Sequence, residues 1–554
     1  RRLAVTAVFA VTMVVMLRLT PDSLHRVPEN TGDPAFTMWT MKWVSHNLFE
    51  PRHIFAAPIY WPRPLTLAWS DPLFAFAPLF GVFRWLSGND VVGWNLVEVT
   101  FIALNLGATY GLVRRLVGRT GPAVVAALAN GFSGFALVHL AHLQMEAVGL
   151  FPLTFWLLFL ALERRRWYYA VGAGLSAASL MVTALYFAPV VAAQVAIIVI
   201  GYLAARHWRP GPGFVTLMAT LAAPIALIVG PTAIEYLRAQ RLVGQSKPAL
   251  IPDASFRPID LLAPKPDGLI SKVFDGVGAS SYKWERTFFL GVTTLILAVV
   301  GLVVLCKVRS MVLRRLECVL VLVAGLVGAV LALGPKVAGV SGPLKIFGDV
   351  APGLDSIRAP GRLAAPLLLS ISLLAAIGLA WLSDQLKGRA AVILQVGVGA
   401  LVLLELATPV KRVPMPLTTA DRQVYQALAQ QPNGPTVELP MVDPRVDGTE
   451  WAYVEAPRMV LATTDWHPRV NGYSGGSAPE YLEHVDRLNR LPDADGFSEL
   501  QKLHVRYIIL HVGQFNGYPM YTAEQAQRIV SSLPPSATAR QVGDDWLIDL
   551  GPAS

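Results

Sequence analysis

Apolar residues arrive along this chain in runs of about twenty, separated by short basic stretches or longer aromatic and polar ones. The runs cover roughly 3–19, 92–113, 120–138, 147–163, 168–186, 187–205, 213–231, 287–306, 317–335, 363–384 and 390–408. A helix rises about 1.5 Å per residue, so about 20 apolar residues cross the ~30 Å hydrocarbon layer. The pattern predicts eleven membrane spans. The stretch 72–87 is also apolar but is short and interrupted by Pro78, which predicts an interfacial helix instead. After residue 408 the long runs stop, and Pro, Asp and Glu rise. Thr418-Thr419-Ala420-Asp421 and Thr522-Ala523-Glu524-Gln525 read as helix starts. Short β-rich runs at 436–439, 505–510 and 546–550 alternate with helical stretches near 479–491 and 496–503. The expected fold class is therefore an all-α polytopic membrane domain, 1–408, followed by a soluble α/β domain, 409–554.

Charge orients the spans. With Arg1-Arg2 inside, the even-numbered connections carry Arg114, Arg115 and Arg119; Arg164 to Arg166; Arg206 and Arg209; Lys307, Arg309, Arg314 and Arg315; and Lys387 and Arg389. All these clusters then fall on one side, as the excess of Lys and Arg in cytoplasmic loops requires. Counting 72–87 as a span would move every one of them away from Arg1-Arg2. The loop 20–91, the connections near 139–146, 232–286 and 336–362, and the C-terminal tail are thus expected on the non-cytoplasmic face.

Only 15% of the 554 residues are charged, against about a quarter in soluble proteins, and 54% are hydrophobic. The net charge of +9 therefore reflects membrane orientation and does not point to nucleic acid. Two cysteines, Cys306 and Cys318, allow no disulfide framework beyond that one pair, and no zinc-ligand spacing occurs. The first span has no small-residue cleavage site behind it and is expected to be a retained helix.

The loop 20–91 is too polar and aromatic for a span. It holds Asp33, His46, Glu50, His53 and Asp71 among Trp39, Trp43, Tyr60, Trp61 and Trp69. A long ionisable loop at the membrane surface points to a site. Asp33 reads either as a carboxylate base or as the cap of a helix opening at Pro34. In the tail, Gly472-Tyr473-Ser474-Gly475-Gly476 satisfies the GxSxG pattern, but 470–472 make a poor strand for a nucleophile elbow.

Several motifs together carry a resemblance. They are Gly32-Asp33-Pro34; Tyr60-Trp61-Pro62 with Ser70-Asp71; Asn95; His139-Leu140-Ala141-His142-Leu143-Gln144; Leu185-Tyr186; Ile357-Arg358-Ala359-Pro360-Gly361-Arg362; and Trp466-His467-Pro468-Arg469-Val470-Asn471-Gly472-Tyr473-Ser474-Gly475. The chain resembles, over nearly its whole length, a bacterial group of membrane proteins related to the GT-C glycosyltransferases. That superfamily includes protein O-mannosyltransferases and aminoarabinose transferases. The resemblance implies a multi-pass protein of the bacterial cytoplasmic membrane. It would move a sugar from a polyprenyl-phosphate donor to an extracytoplasmic glycan, lipid or protein, with inversion and without a cofactor. By the same resemblance Asp33 is the general base. Many relatives carry two acids close together in this loop; here Gly-Asp-Pro supplies one, and Asp71 and Glu50 are the alternatives for a second.

The chemistry fits those residue types. One positioned carboxylate can take the acceptor's proton, worth roughly 10²–10⁴ in rate, and phosphate leaves without a second acid. Arg358 and Arg362 are the expected partners of the departing phosphate, or else they snorkel to lipid headgroups. His139 and His142, three apart with Gln144 and Glu146 behind, are read as phosphate or sugar contacts, as structural groups, or less readily as metal ligands. Tyr186 is a substrate contact or part of the aromatic belt. Asn95 is a substrate contact or a helix-pairing residue. His53 and Asp71 are further loop candidates, whereas Lys283 to Arg286 read as surface ion pairs. No metal is required. A transporter or flippase of a lipid-linked substrate is the rival, but it would place charges within spans and break paired midplane helices. A scaffold binding wall polymers would keep Asp33 apart from Arg358.

Overall fold

The computed structural model describes residues 2–205, 211–243, 251–274, 276–277, 283–308, 314–337, 339–348, 357–445 and 448–551. Arg206, Arg209 and Arg309 of the expected basic clusters lie outside these. Every apolar run coincides with a helix: α1 (Arg2–Met16), α4 (Asp90–Val117), α5 (Thr120–Gly131) with α6 (Gly134–Val138), α7 (Leu150–Arg164), α8 (Trp167–Thr183), α9 (Ala188–Ala205), α10 (Pro212–Val243), α11 (Val292–Lys307), α12 (Arg315–Ala332), α14 (Ala365–Asp384) and α15 (Arg389–Leu406). Among the described residues eight helical stretches are long and apolar enough to cross a membrane. This is a multi-pass membrane protein. Helices α1, α8 and α11, at 15, 17 and 16 residues, are shorter than the expected spans. The interfacial stretch forms α3 (Ala77–Ser87), of only 11 residues.

The chain folds into two compact units. One comprises Arg1–Pro21, Val97–Pro231 and Pro248–Lys411. Its helices approach closely at small residues: a Cβ on Gly301 of α11 would meet the Leu374 carbonyl at 1.8 Å, and one on Gly378 of α14 would meet the Leu297 carbonyl at 2.2 Å. A charged cluster ties three of the basic connections together. Arg115 at the end of α4 pairs with Glu163 at the end of α7 and with Glu317 at the start of α12 (3.3 Å), while Arg314 reaches Glu163 at 2.8 Å. The remaining helix of this unit is α13 (Pro343–Gly348), beside the short hairpin β2 (Lys336–Val337) and β3 (Val340–Ser341).

The second unit joins Asp22–Leu96 and Thr232–Lys247 to Arg412–Ser554. Its sheet runs β5 (Thr436–Leu439), β6 (Tyr507–Leu510), β10 (Asp545–Asp549), β9 (Thr538–Val542); β5 and β6 are parallel and the other neighbours antiparallel. Around it lie α16 (Thr419–Leu428), α17 (Gly448–Ala462), α18 (Tyr481–Leu488), α19 (Ala494–Lys502) and α20 (Ala523–Ser531). Both capping sequences form complete boxes, at Thr418 with Asp421 and at Thr522 with Gln525. The hairpin β7 (Gln514–Phe515) and β8 (Tyr518–Pro519) completes this segment. From the loop 20–91, β1 (Arg26–Pro28) pairs antiparallel with β4 (Arg412–Pro414). The same loop contains a helix, α2 (Gly32–His46), with eleven of its fifteen residues buried.

Candidate functional site

Asp33 sits in the first turn of α2. The residue before Gly32 has no side-chain capping bond; instead the Asn30 side chain accepts from the amides of Gly32 (3.0 Å) and Asp33 (3.2 Å). The cap reading of Asp33 is thereby corrected: the helix opens at Gly32 with Thr31 in the cap position, and Asn30 accepts from its first two amides, which leaves the half-buried Asp33 inside the first turn. Pro34 costs nothing in a first turn, where its missing N–H has no partner to lose. Further along α2, Lys42 is buried and donates to Asp90 at 2.7 Å, which also accepts from Arg84 at 2.6 Å. Burial lowers the Lys42 ammonium from its usual value, against the pull of Asp90. The Trp94 indole donates to Thr37 at 2.9 Å.

The other candidates of this unit have varied surroundings. Asn95 is fully buried; its amide donates to the carbonyls of Leu24, Arg26 and Val91 within 3.0 Å, and its oxygen accepts from Arg412 at 2.6 Å. That pattern joins α4 to β1 and β4. His53 is exposed and faces Glu50 at 3.3 Å. Asp71 is half-buried, next to Ser70, whose carbonyl accepts from Tyr236.

The Trp466–Gly475 motif proves to be a lock between the first loop and the C-terminal sheet. Arg469 donates to Glu438 of β5 at 2.8 Å and to Asp465 at 2.8 Å. Asn471 exchanges bonds with the Glu438 backbone at 2.7 and 2.9 Å. The loop returns the contact: the amides of Tyr60 and Trp61 donate to the carbonyls of Asn471 (3.1 Å) and Arg469 (2.8 Å). Trp466 stacks on His46 at 5.0 Å, at the far end of α2 from Asp33, whereas Tyr473 meets Phe36 edge-on at 5.4 Å, one turn after Asp33. Burial raises the Glu438 carboxyl, but His511 and Arg469 overcome it and bring it to about 2. Glu455 of α17, where burial dominates, is pushed up to about 7. Residues 471–478 form neither strand nor helix, and Ser474 is buried, so the nucleophile elbow is absent.

The remaining candidates belong to the membrane unit, and four of them come together. Glu285 is the organiser. Arg362 donates to it through two nitrogens, Nε at 2.8 Å, and His139 Nε2 faces the same carboxylate at 3.3 Å. The other His139 nitrogen faces the Phe135 carbonyl at 2.8 Å, so both ring nitrogens address acceptors. His142 lies 5.7 Å from His139, ring to ring. Tyr186 places its ring 6.0 Å from the Arg362 guanidinium, at the limit of a cation–π contact, and donates to Met145 Sδ at 2.9 Å. Burial alone would raise the Glu285 carboxyl; Arg362 and His139 hold it well below the usual carboxylate range.

Two corrections follow. Glu285 and Arg286 do not form surface pairs, because Arg286 is buried against Asp260 at 2.6 Å and Glu285 turns to Arg362. Arg358 is exposed while Arg362 is engaged, so the two arginines differ in setting. Sequence reasoning placed Glu285 only in a surface ion pair and missed its part in this cluster; the available signal was an acid directly before an apolar run. Glu146, also buried, has neither carboxylate oxygen hydrogen-bonded and lies in the field of Glu98. Among the described residues no group of three or more His, Cys, Asp or Glu is placed to hold a metal ion.

Residues 3–404 match the family model described as "Domain of unknown function (DUF6311)". The chain belongs to the DUF6311 family. No curated protein matches it by sequence. Among solved structures, this DUF6311 chain is similar along 100% of its length to the arabinofuranosyltransferase AftD from Mycobacteria, with TM-score 0.60 and 15% identity, but covers 40% of that chain. It thus spans about two fifths of AftD. Weaker likenesses are to ArnT from Cupriavidus metallidurans bound to undecaprenyl phosphate (TM-score 0.46, 12% identity, 99% of this chain and 98% of that one). The oligosaccharyltransferase AglB from Archaeoglobus fulgidus, solved with an inhibitory peptide and a dolichol-phosphate, gives TM-score 0.44 at 12% identity over 92% of this chain and 69% of its own. The fold is that of the GT-C glycosyltransferases.

Proposed function

We propose that this DUF6311 protein is an inverting glycosyltransferase that moves a sugar from a polyprenyl-phosphate donor to an extracytoplasmic glycan, lipid or protein. It would act at the outer face of the bacterial cytoplasmic membrane, with the C-terminal segment on that face. The observation that carries the reading is Asp33: a half-buried carboxylate in the first turn of a buried helix whose first amides are held by Asn30, in a chain of GT-C fold. In the step, an acceptor hydroxyl gives its proton to the Asp33 carboxylate as its oxygen bonds to the anomeric carbon. The bond from that carbon to the donor phosphate breaks, and the electron pair leaves on the polyprenyl phosphate. By the same reading Arg358, which is exposed, and Arg362, which is hydrogen-bonded to Glu285, are the cations assigned to the phosphate. His139, His142 and Tyr186, which gather with Arg362 in the membrane unit, are the proposed further contacts to sugar and phosphate. Asp71, His53 and Asn95 lie in the unit that carries Asp33, with Asn95 setting its frame.

The test is transfer of radiolabel from a panel of polyprenyl-phosphate pentoses and hexoses in membranes, wild type against Asp33→Asn. Loss of the base is expected to lower the rate roughly 10²–10⁴-fold. Equal rates would remove the assignment. Accumulation of an intact lipid-linked sugar on the far leaflet, without transfer, would favour the flippase reading.

A further inference from the structure

Why the acid-bearing loop is built into the same compact unit as the C-terminal segment has an answer in one side chain. β7 and β8 are joined by Asn516 and Gly517, both with left-handed backbone (φ +50° and +82°). Asn-Gly at such a two-residue turn is the sequence that matches strand twist, since Asn tolerates the left-handed region and Gly enters it freely. The hairpin is rooted by Phe515, which is buried in the C-terminal core beneath Arg458. Its tip points at α2. The Asn516 amide donates to Thr31 Oγ1 at 2.9 Å and to the Tyr453 carbonyl at 2.8 Å. Thr31 is buried and directly precedes Gly32-Asp33.

Two further restraints close on the same turn. Gly32 lies so near α17 that a Cβ would stand 3.0 Å from the Ala452 Cβ and from the Tyr453 ring. Asn30 holds the amides of Gly32 and Asp33 from the other side. One amide group therefore bridges the residue before the Gly-Asp-Pro turn and the backbone of the helix that turn packs against. Both donor hydrogens of that amide are used, each on a single acceptor.

We propose that Asn516 is a positioning residue for the transfer reaction: the C-terminal segment fixes the direction of the Asp33 carboxylate through the Asn516 bridge to Thr31 and Tyr453. The inference rests on Asp33 being the base. It assigns the C-terminal segment a part in the reaction beyond the family-matched residues 3–404, that of a clamp on the first loop.

Asn516→Gly is the informative variant, because glycine keeps the left-handed turn and removes only the amide. Thr31→Val deletes the acceptor at near-constant shape and serves as the second variant. Full-length protein in nanodiscs is to be measured by hydrogen–deuterium exchange over residues 31–37, and by transfer from the polyprenyl-phosphate sugar that the wild type uses. Each variant is expected to exchange roughly 3- to 10-fold faster in the first turn of α2, as loss of one hydrogen bond implies. The kcat is expected to fall roughly 10- to 100-fold with the donor KM unchanged, since a small misplacement of a reacting group costs that much. The double variant should be no worse than Asn516→Gly alone. Unchanged exchange and unchanged kcat in both would overturn the proposal. If Asp33→Asn transfers at the wild-type rate, the base assignment fails and takes the catalytic role of Asn516 with it. Faster exchange in that case would leave only a structural bridge.

Discussion

The contact that most directly tests the membrane unit is Glu285 with Arg362. Their side chains are only 15% and 17% exposed, so water screens the pair weakly. At ~4 Å and an effective dielectric near 20, unit charges attract by about 4 kcal/mol. Removing one partner of such a buried pair typically costs about 3–5 kcal/mol, because the survivor stays buried and unpaired. The two truncations are not equivalent. Glu285→Ala strands both Arg362 and His139, so it should lie in the upper part of that range. Arg362→Ala leaves Glu285 with His139, and about 2–3 kcal/mol is expected. The double variant removes both charges and should be more stable than the sum of the singles by up to about 3 kcal/mol. The sign with pH follows from the depressed Glu285 carboxyl: its stabilisation is complete above the ordinary carboxylate range and is lost as pH falls through the lowered value. The assay is thermal unfolding in detergent near pH 7, read by tryptophan fluorescence and compared as a ranking of midpoints, since a chain of two units need not unfold in one step. Strictly additive midpoint losses, or a wild-type midpoint for Glu285→Ala, would refute the reasoning.

Glu455→Gln should stabilise the protein increasingly from about pH 4.5 to 7 and by up to about 3 kcal/mol above that. The native carboxyl, raised from 4.5 to about 7, holds its proton where the unfolded one has lost it; a stability gap that stays constant between pH 5 and 8 would disprove this. Gly32→Ala should cost about 1–3 kcal/mol through overpacking against Ala452 and Tyr453 and lower transfer more than it lowers the melting midpoint. Adding Ala452→Gly should recover part of both, and wild-type transfer in the single variant would show that the helix crossing has slack.

The spans were legible because a continuous apolar run has few other places to go. What the runs did not reveal was length: α1, α8 and α11 stop short of the expected spans because apolar residues beyond their ends, Leu17 and Leu19, Ala184 and Leu185, and Phe288 to Leu290, are not α-helical. The buried α2 was expected only as a helix start at Pro34 within a surface loop. Its Lys42, Thr37, Thr40 and Trp39 look polar or interfacial, yet they are buried among protein groups, with Lys42 neutralised by Asp90. Helix α17 escaped notice because Pro457 lies inside it. At the site, His139, His142, Tyr186 and Arg362 were each named but not connected. The connecting acid stands beside Arg286 in sequence, which invited a local pairing that the fold declines in favour of residues 77 and 146 positions away.

The manner in which Asp33 is held bears on enzyme against carrier. A carrier alternates its binding groups between two arrangements, so the segment bearing them needs slack. The first turn of α2 has little: Asn30 takes its amides, a Cβ on Gly32 would crowd Ala452 and Tyr453 at 3.0 Å, and Asn516 ties Thr31 to α17. Such over-determination is wasted on a group that must move. It is what a base requires when its one task is to meet a hydroxyl proton at a fixed point, where each misplaced ångström is costly in rate. The lock at Arg469 and Asn471, which sets the loop against β5 with buried charge pairs, works in the same direction. These contacts set the first loop against the C-terminal segment, an arrangement that suits a group held at one point better than one that must move.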